Sequence, residues 1–129
     1  MLQQDGRAAL LLLLLAFALL GVGANNNTVT LSSYGAQPNN ASFDNAVAFQ
    51  KAASFANSHP GTTILYDSPG ATYYATTSAN FNKAVNVTIQ GNGATIINTK
   101  FAGFFYFASC NGIQLLNLTL GLPFSSFRT

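Results

Sequence analysis

The chain has 129 residues, of which 6% are charged, and it contains neither Glu nor Trp. So low a charge content excludes most disordered and coiled-coil proteins, which are rich in charged residues. The net charge of +2 comes without any cluster of Lys or Arg, which argues against nucleic acid as a partner. The single cysteine excludes an intramolecular disulfide scaffold and a cysteine-rich metal site, and we expect no cofactor.

Residues 1–24 have the layout of a secretory signal peptide. Arg7 precedes an apolar run over residues 8–20, and small residues over 21–24 offer a cleavage point before Asn25. The sequence therefore predicts a secreted protein whose mature part, residues 25–129, is one small domain with no stable membrane span. Because the uncharged stretch reaches about 17 residues, an uncleaved signal anchor in the membrane is the alternative.

Four Asn-x-Ser/Thr sequons fit the secretory route, at Asn26, Asn40, Asn86 and Asn117. In a eukaryotic host each is a candidate N-glycosylation site. Asn86 and Asn117 lie in strand-like runs, where a glycan is harder to accommodate. The sequons cannot identify the source organism, because a chain so rich in Asn, Ser and Thr produces them by chance.

The mature chain opens with a short strand around Val29 and Leu31 and then predicts a helix over residues 42–58. Ser42 or Asp44 can cap that helix, and Pro60-Gly61 ends it. From Thr62 onward the pattern changes to short apolar strands over residues 62–66, 72–76, 85–90, 94–97, 104–107 and 113–120. Turns rich in Gly, Asn and Pro separate them, among them residues 91–93.

The strands contain a repeat of about 23–26 residues. A shift of 26 places Phe81 on Phe107, Val87 on Ile113 and Ile89 on Leu115, and a backward shift of 23 places Val87 on Ile64. Strands that bury only alternate residues need neighbours, and stacking of successive repeats supplies them. The fold class predicted is all-β, a solenoid of parallel strands with about three coils in this chain.

Five motifs, in this order along the chain, resemble those of a known family: V-T-L-S-S-Y-G-A, D-N-A-V-A-F-Q-K-A, G-T-T-I-L-Y, P-G-A-T-Y and V-N-V-T-I-Q-G-N-G-A-T-I-I. From about Val29 to Leu120 the chain resembles the N-terminal segment of the pectate lyase superfamily, the right-handed parallel β-helix class. That class includes polygalacturonases, rhamnogalacturonases, pectate lyases, uronan epimerases and phage tailspikes. The resemblance implies that the helix covers the N-terminal mouth of the β-helix. It does not fix the reaction.

The chain departs from the family where acidic residues are usual. After Y-G-A the family's loop is acidic, whereas here only Asp44 keeps a carboxylate, and the catalytic motifs of the family's hydrolases are missing. The mature chain has two acids, Asp44 and Asp67, which we interpret as a helix-start residue and a turn residue. Glycoside hydrolysis needs a carboxylate pair held about 5–10 Å apart. We therefore predict no catalytic residue and no metal site in this chain.

Four further side chains have a structural and a functional interpretation. His59 fits the C-terminus of a helix better than a general base. Cys110 aligns with Ala84 in the repeat and is interpreted as a packing residue, with an intermolecular disulfide as the alternative. Tyr73 and Tyr74 are candidates for stacking on sugar rings, but successive strand residues point to opposite faces, so one is expected to face inward.

The leading hypothesis is the N-terminal part of a secreted β-helix protein that acts on a uronic-acid-rich polysaccharide, as a hydrolase first and as a lyase or epimerase second. This chain alone is expected to be inactive. The alternative is a non-catalytic β-helix module for adhesion or matrix structure. No closing helix or charged repeat follows residue 120, so we expect the chain to be truncated and to self-associate through the open end of the solenoid.

Overall fold

The computed structural model describes residues 27–122. The predicted signal peptide over residues 1–24 and the sequon at Asn26 lie outside the described residues. Within residues 27–122, β-strands arranged in parallel sheets are the main regular structure, and this part of the chain has a single α-helix. The strand-rich class expected from the sequence is therefore confirmed at the level of parallel sheets with one helix.

The elements follow one another along the chain with short connections. After β1 (Thr28–Thr30) come a 3-10 turn (Ser32–Tyr34) and the helix α1 (Ala46–Ser58). The remaining elements are all strands: β2 (Thr63–Leu65), β3 (Thr72–Ala75), β4 (Ala79–Asn82), β5 (Thr88–Asn98), β6 (Phe105–Ala108) and β7 (Gln114–Gly121).

The strands form two sheets whose pairs are all parallel. In the larger sheet the order is β1-β2-β5-β3, and β7 also pairs with β5, whereas β4 and β6 form a sheet of two. The long strand β5 takes part twice, because its first half pairs with β2 and its second half with β3. Parallel neighbours cannot be joined by a hairpin, so the intervening chain must cross over between them.

Helix α1 forms because residues 46–58 are rich in Ala and free of Gly and Pro, which favours the helical backbone. Its buried side has small side chains and one large one: Ala46, Ala48, Phe49, Ala52, Ala53 and Ala56. The ring of Phe49 lies 5.7 Å from that of Tyr66 and 6.1 Å from that of Tyr73, centroid to centroid. The helix therefore covers the end of the core formed by β2, β3 and β4.

Two strand predictions were wrong. Residues 91–93 do not separate two strands, because β5 runs through them with a register irregularity between Gln90 and Ala94. Asn92 and Gly93 have φ values of 55° and 79°, so the backbone bends there without leaving the sheet. Strand β4 was also not predicted, because A-N-F-N alternates apolar and polar residues over only four positions and Asn is depleted in strands.

The observed register confirms one of the predicted shifts and corrects the other. Phe81 pairs with Phe107 and Ile89 with Leu115, as the shift of 26 predicted. Ile64, however, pairs with Ile89 and not with Val87. A slip of two residues keeps every side chain on the same face of a strand, so hydrophobic alternation cannot detect it.

Candidate functional site

Asp44 ties the start of α1 to the end of β3. Its Oδ1 accepts hydrogen bonds from the backbone N–H groups of Ala46 and Thr76, both at 3.0 Å, and its Oδ2 accepts from the Thr76 hydroxyl at 2.5 Å. Partial burial raises the pKa of this carboxyl, but the three hydrogen bonds, with Lys100 nearby, outweigh burial and leave the pKa below its ordinary value. Asp44 therefore makes these hydrogen bonds as an ionised carboxylate.

Asp67 has the same kind of role between two turns. Its carboxylate accepts from the backbone N–H of Ser32 at 3.1 Å and from the Ser32 hydroxyl. Burial acts to raise the pKa of Asp67, and the Ser32 hydrogen bonds lower it by more, so the net shift is downward. Both carboxylates are therefore engaged in holding loops, which agrees with their interpretation as structural residues. Within residues 27–122, no three His, Cys, Asp or Glu side chains lie together in a way that could hold a metal ion.

Side chains from residues 39–57 close the backbone edge of β3 and β4 that faces α1. At β3, Asn39 bonds the N–H and C=O of Thr72 through its own amide oxygen and backbone N–H. Asn45, which is fully buried, donates from its backbone N–H and its Nδ2 to the carbonyl of Tyr74. At β4, Gln50 bonds both backbone groups of Asn80.

The same closure extends along β4, where Asn57 accepts from the backbone N–H of Asn82 at 3.0 Å. These side chains, Asn39, Asp44, Asn45, Gln50 and Asn57, are called the edge clasp below. They take the place of a neighbouring strand, which an unpaired strand edge otherwise requires. Sequence reasoning found only Asp44 among them. The sequence did contain a signal for the others, because Asn and Gln residues lie just before the Ala-rich helix and within it.

An open groove of about 130 Å³ lies beside the edge clasp. Its polar lining comes from Ser42, Asp44, Thr76 and Thr99, and its apolar lining includes Phe43 and Tyr74. The volume is smaller than that of most ligand clefts in proteins, which are about 300–1,000 Å³. Hydroxyl groups beside an aromatic ring match the two sides of a sugar, which has polar edges and an apolar face. This groove is the candidate functional site.

The two predicted stacking residues are placed differently by the strand β3. Tyr73 is 1% exposed and packs edge-on against Tyr66, with a centroid distance of 5.1 Å. Tyr74 is half-buried on the opposite face and lines the groove. The expected alternation is thus observed, and Tyr73 has no ring face to offer a ligand. Sugar stacking remains a prediction for Tyr74 alone.

The three sequons within residues 27–122 are at accessible or half-buried positions. Asn40 is half-buried, and its Nδ2 donates to the side chain of Gln37 at 3.0 Å. Asn86 and Asn117 are exposed, with φ values of 52° and 50°. Asn86 lies in the turn before β5, whereas Asn117 lies within β7 and donates to Gln90 at 3.3 Å.

His59 and Cys110 both have structural surroundings. His59 stacks on Phe55 with ring centroids 3.8 Å apart, and its Nδ1 lies 2.8 Å from the carbonyl oxygen of Phe55, at the C-terminus of α1. Cys110 is half-buried against the core, with its Sγ 3.3 Å from the carbonyl oxygen of Ala108. Neither side chain lines the groove.

Comparison of the chain with family models, with curated proteins and with solved structures finds no match. In the part of the chain from residue 27 to residue 122, no helix is long and apolar enough to cross a membrane. The fold and the groove are therefore interpreted from this chain's own geometry, and the resemblance to the pectate lyase superfamily stays a prediction.

Proposed function

We propose that residues 27–122 form the opening coils of a right-handed parallel β-helix. Strand pairs at regular intervals support this fold. Thr63 pairs with Thr88 and Thr88 with Gln114, while Tyr73 pairs with Ile96, so each partner lies between 23 and 26 residues further along. Crossovers between parallel strands of one sheet are almost always right-handed, which gives the hand of the proposed helix.

Recurring backbone conformations support the same fold independently of the strands. Gly61, Asn86 and Gly112, each just before a strand of the larger sheet, all have positive φ, at 82°, 52° and 72°. Lys83 and Ser109 follow the paired strands β4 and β6 and also have positive φ, at 57° and 53°. Positive φ is uncommon outside glycine, so its return at equivalent places indicates the same turn built repeatedly.

Disulfide trapping tests the fold in a Cys110→Ser background. We expect Thr88→Cys with Gln114→Cys to oxidise readily, because in-register parallel neighbours lie within disulfide range. Thr88→Cys with Leu116→Cys is the matched control, since its diagonal separation is about 7–8 Å. Equal oxidation of the two pairs would contradict the proposed stacking.

For the whole protein we propose a secreted function on a uronic-acid-rich polysaccharide. The observation that carries this proposal is the groove lined by Tyr74, Thr76 and Thr99. The threonine hydroxyls donate to Asp44 and to the carbonyl of Ala75, so they can accept a hydrogen bond from a sugar hydroxyl, and the tyrosine can cover a sugar face. Asp44 is already bonded to Ala46 and Thr76, so within this groove it positions hydroxyls and does not transfer protons. We place any catalysis in further coils of a longer form of the protein. Hydrolysis is the leading proposal for the reaction, and elimination or epimerisation comes second.

A non-catalytic module for adhesion or matrix structure is the second candidate. The observation that favours it is the use of both mature-chain carboxylates, Asp44 and Asp67, in hydrogen bonds that hold loops. Under either candidate the chain binds polysaccharide without turning it over. The two candidates differ in whether any longer form of the protein cleaves polygalacturonate.

Binding of polygalacturonate, followed by affinity electrophoresis, tests the groove. We expect the chain to be retarded, and Tyr74→Ala to weaken the affinity by about fivefold or more, since one stacked ring contributes on the order of 1 kcal/mol. Tyr106→Ala is the matched control, because Tyr106 is 62% exposed and does not line the groove. Absence of retardation, or equal effects of the two variants, would refute the groove as a saccharide site.

Secretion and glycosylation are tested by expression in a eukaryotic cell. The proposal expects a mature N-terminus at Asn25 and glycan on at least one sequon. Removal of glycan by an endoglycosidase should then increase the gel mobility of the chain, and the variants Asn26→Gln, Asn40→Gln, Asn86→Gln and Asn117→Gln assign the sites. Retention of residues 1–24 in a membrane fraction would instead favour the signal anchor.

A further inference from the structure

A second open groove lies along the N-terminal half of α1, next to the groove at Tyr74. Its volume is about 430 Å³, which is within the range of about 300–1,000 Å³ that is usual for ligand clefts. We call it the helix groove, and it is lined by Ala46, Val47, Gln50, Thr77, Ser78 and Asn80. The groove at Tyr74 is smaller than that range, so the helix groove supplies the room that a polysaccharide chain needs.

The two grooves lie side by side, because neighbouring residues of the same two segments line them. On the helix side, Asp44 lines the groove at Tyr74 and Ala46 lines the helix groove. On the strand side, Thr76 and Thr77 divide in the same way. The hydrogen bonds from Thr76 to Asp44 tie the two sides together at this boundary. A ligand longer than one sugar residue can therefore extend from one groove into the other.

The helix groove has an apolar side and a polar side. Val47 is 63% exposed, so its side chain can pack against the C–H face of a sugar ring. Asn80 accepts from the Ser78 hydroxyl at 3.2 Å through its Oδ1, which leaves the Asn80 Nδ2 to donate to a ligand. The Thr77 hydroxyl can bond a sugar hydroxyl in the same way. None of the described residues that line this groove is charged.

Further coils of the chain would leave the helix groove open. The backbone N–H and C=O of Asn80 face α1, where the side chain of Gln50 bonds both groups. The opposite edge of β4 pairs with β6, so additional coils stack on the side away from the helix. The neighbour of the helix groove is therefore α1 and not a later coil.

We propose that the helix groove is a second saccharide subsite and that one polysaccharide chain binds across both grooves. This inference rests on the proposed saccharide site at Tyr74 and extends it. Because the lining of the helix groove is uncharged, it recognises the hydroxyl groups of a sugar residue and not a carboxylate. The combined site therefore prefers oligosaccharides to single sugars, and its second subsite accepts a methyl-esterified residue as well as a free uronate.

Isothermal titration calorimetry with galacturonate and with oligogalacturonates of increasing length tests the second subsite. We expect the affinity to rise with length until both grooves are filled and then to level off. Asn80→Ala should weaken the binding of long oligomers by about fivefold, because it removes one side-chain hydrogen bond. Val47→Ala, which keeps the helix propensity high, should weaken the same oligomers. Asn82→Ala is the matched control, since Asn82 is exposed on the same face of β4 and does not line the groove.

The outcomes separate this inference from the proposed function. Tyr74→Ala should weaken the binding of short and long oligomers alike, whereas Asn80→Ala should act on the long ones alone. An affinity independent of length, or equal effects of Asn80→Ala and Asn82→Ala, would refute the second subsite while the groove at Tyr74 remains. Absence of binding at every length would refute both.

Methyl-esterified oligomers test the expected chemistry of the helix groove. The loss of affinity caused by Asn80→Ala should be the same for esterified and free oligogalacturonates, because the lining has no charge that could select a carboxylate. A loss confined to the free uronates would contradict an uncharged subsite. Thermal melts by circular dichroism establish that each variant is folded, which is expected because Val47, Asn80 and Asn82 are exposed.

Discussion

The two ends of the described chain use similar residues in opposite ways. Ile64, Ile89 and Leu115 are aligned on three successive paired strands. Ile64 and Ile89 are 3% and 1% exposed, while Leu115 is 46% exposed. The side chains are alike in size and hydropathy, so their burial is decided by the neighbouring layer and not by the residue. Within residues 27–122, the end with the helix has that layer, and the outer side of β6 and β7 does not.

The ends also differ in how their backbone edges are satisfied. Near α1, Asn, Gln and Asp side chains bond the outer groups of β3 and β4, as Asn39 does for Thr72. In β7 the side-chain hydrogen bond of Asn117 goes to the side chain of Gln90 in the neighbouring strand β5 and bonds no outer backbone group. Polar side chains therefore take the part of a missing strand at one end only. Four changes test this contrast, beginning with the largest expected effect.

Truncating the paired residues Phe81 and Phe107 should lower the free energy of unfolding by very different amounts. Phe81 is 1% exposed and stacks on Phe107 with centroids 5.1 Å apart. Phe81→Ala is expected to lower the free energy of unfolding by about 3–5 kcal/mol, because it removes core contacts and leaves a cavity. Phe107→Ala should cost less than half as much, because that ring is already 37% exposed. Urea denaturation measures both, and equal losses would contradict the contrast between the ends.

A methyl group at Gly91 in β5 should push the neighbouring strand β7 away. A Cβ there would clash with the carbonyl oxygen of Asn117 and lie 2.8 Å from Cβ of Leu118, both in β7. We expect Gly91→Ala to cost about 1–3 kcal/mol of stability through overpacking. Hydrogen exchange should show the loss of protection in β7 before β2.

Gly121→Ala is the control for that substitution. Its Cβ would meet the side-chain end of Ile97 at 2.9 Å and no backbone atom closer than 3.9 Å. A side-chain end can move aside, so the loss should be smaller than for Gly91→Ala. A larger loss at Gly121 would show that β7 is held by its C-terminal half.

Removing one member of the edge clasp should have a moderate effect confined to the helix end. Gln50 bonds the N–H of Asn80 at 2.9 Å and its C=O at 3.3 Å. Gln50→Ala keeps the helix propensity high and frees both backbone groups, for an expected loss of about 1 kcal/mol. Lys51→Ala is the control on the exposed side of α1. A loss no larger than that of Lys51→Ala would show that the clasp adds no stability.

The fold was predictable from the sequence where it depends on local chemistry. The Ala-rich segment before Pro60-Gly61 gave the body of α1. The helix begins at Ala46 and not at Ser42 because Asp44 and Asn45 belong to the edge clasp, and Asp44 accepts from the backbone N–H of Ala46. The pairing of Phe81 with Phe107 followed from the repeat. The partner of Ile64 was misplaced by two residues, since alternation is unchanged by such a shift.

The candidate site was less predictable because it depends on tertiary neighbours. Alternation along β3 correctly put one tyrosine inward, but no pattern in the sequence chooses Tyr74 as the groove residue or brings Thr99 beside it. Asn45 was missed for a similar reason. Its importance comes from bonds to Gln37 and Tyr74, 8 and 29 residues away, which only the folded chain brings together.

The smallest expected effect is the acid sensitivity of the helix end. Asp44 and Asp67 both have a pKa below the ordinary 3.8, because their hydrogen bonds outweigh the opposing effect of burial. A carboxyl with a lowered folded pKa stabilises the protein above its unfolded pKa, and that contribution is lost as the pH falls through the folded value. The melting temperature should therefore fall between about pH 5 and pH 2.

Asp44→Asn with Asp67→Asn should flatten that profile, because neither amide titrates. Residues 101–122 contain no acid, so hydrogen exchange at low pH should open the turns at Ser32 and Thr76 before it opens β7. Equal acid loss in the wild type and the double variant would place the sensitivity elsewhere. It would also mean that the hydrogen bonds of Asp44 and Asp67 orient their loops without stabilising the fold, and that amide side chains and apolar packing hold the helix end.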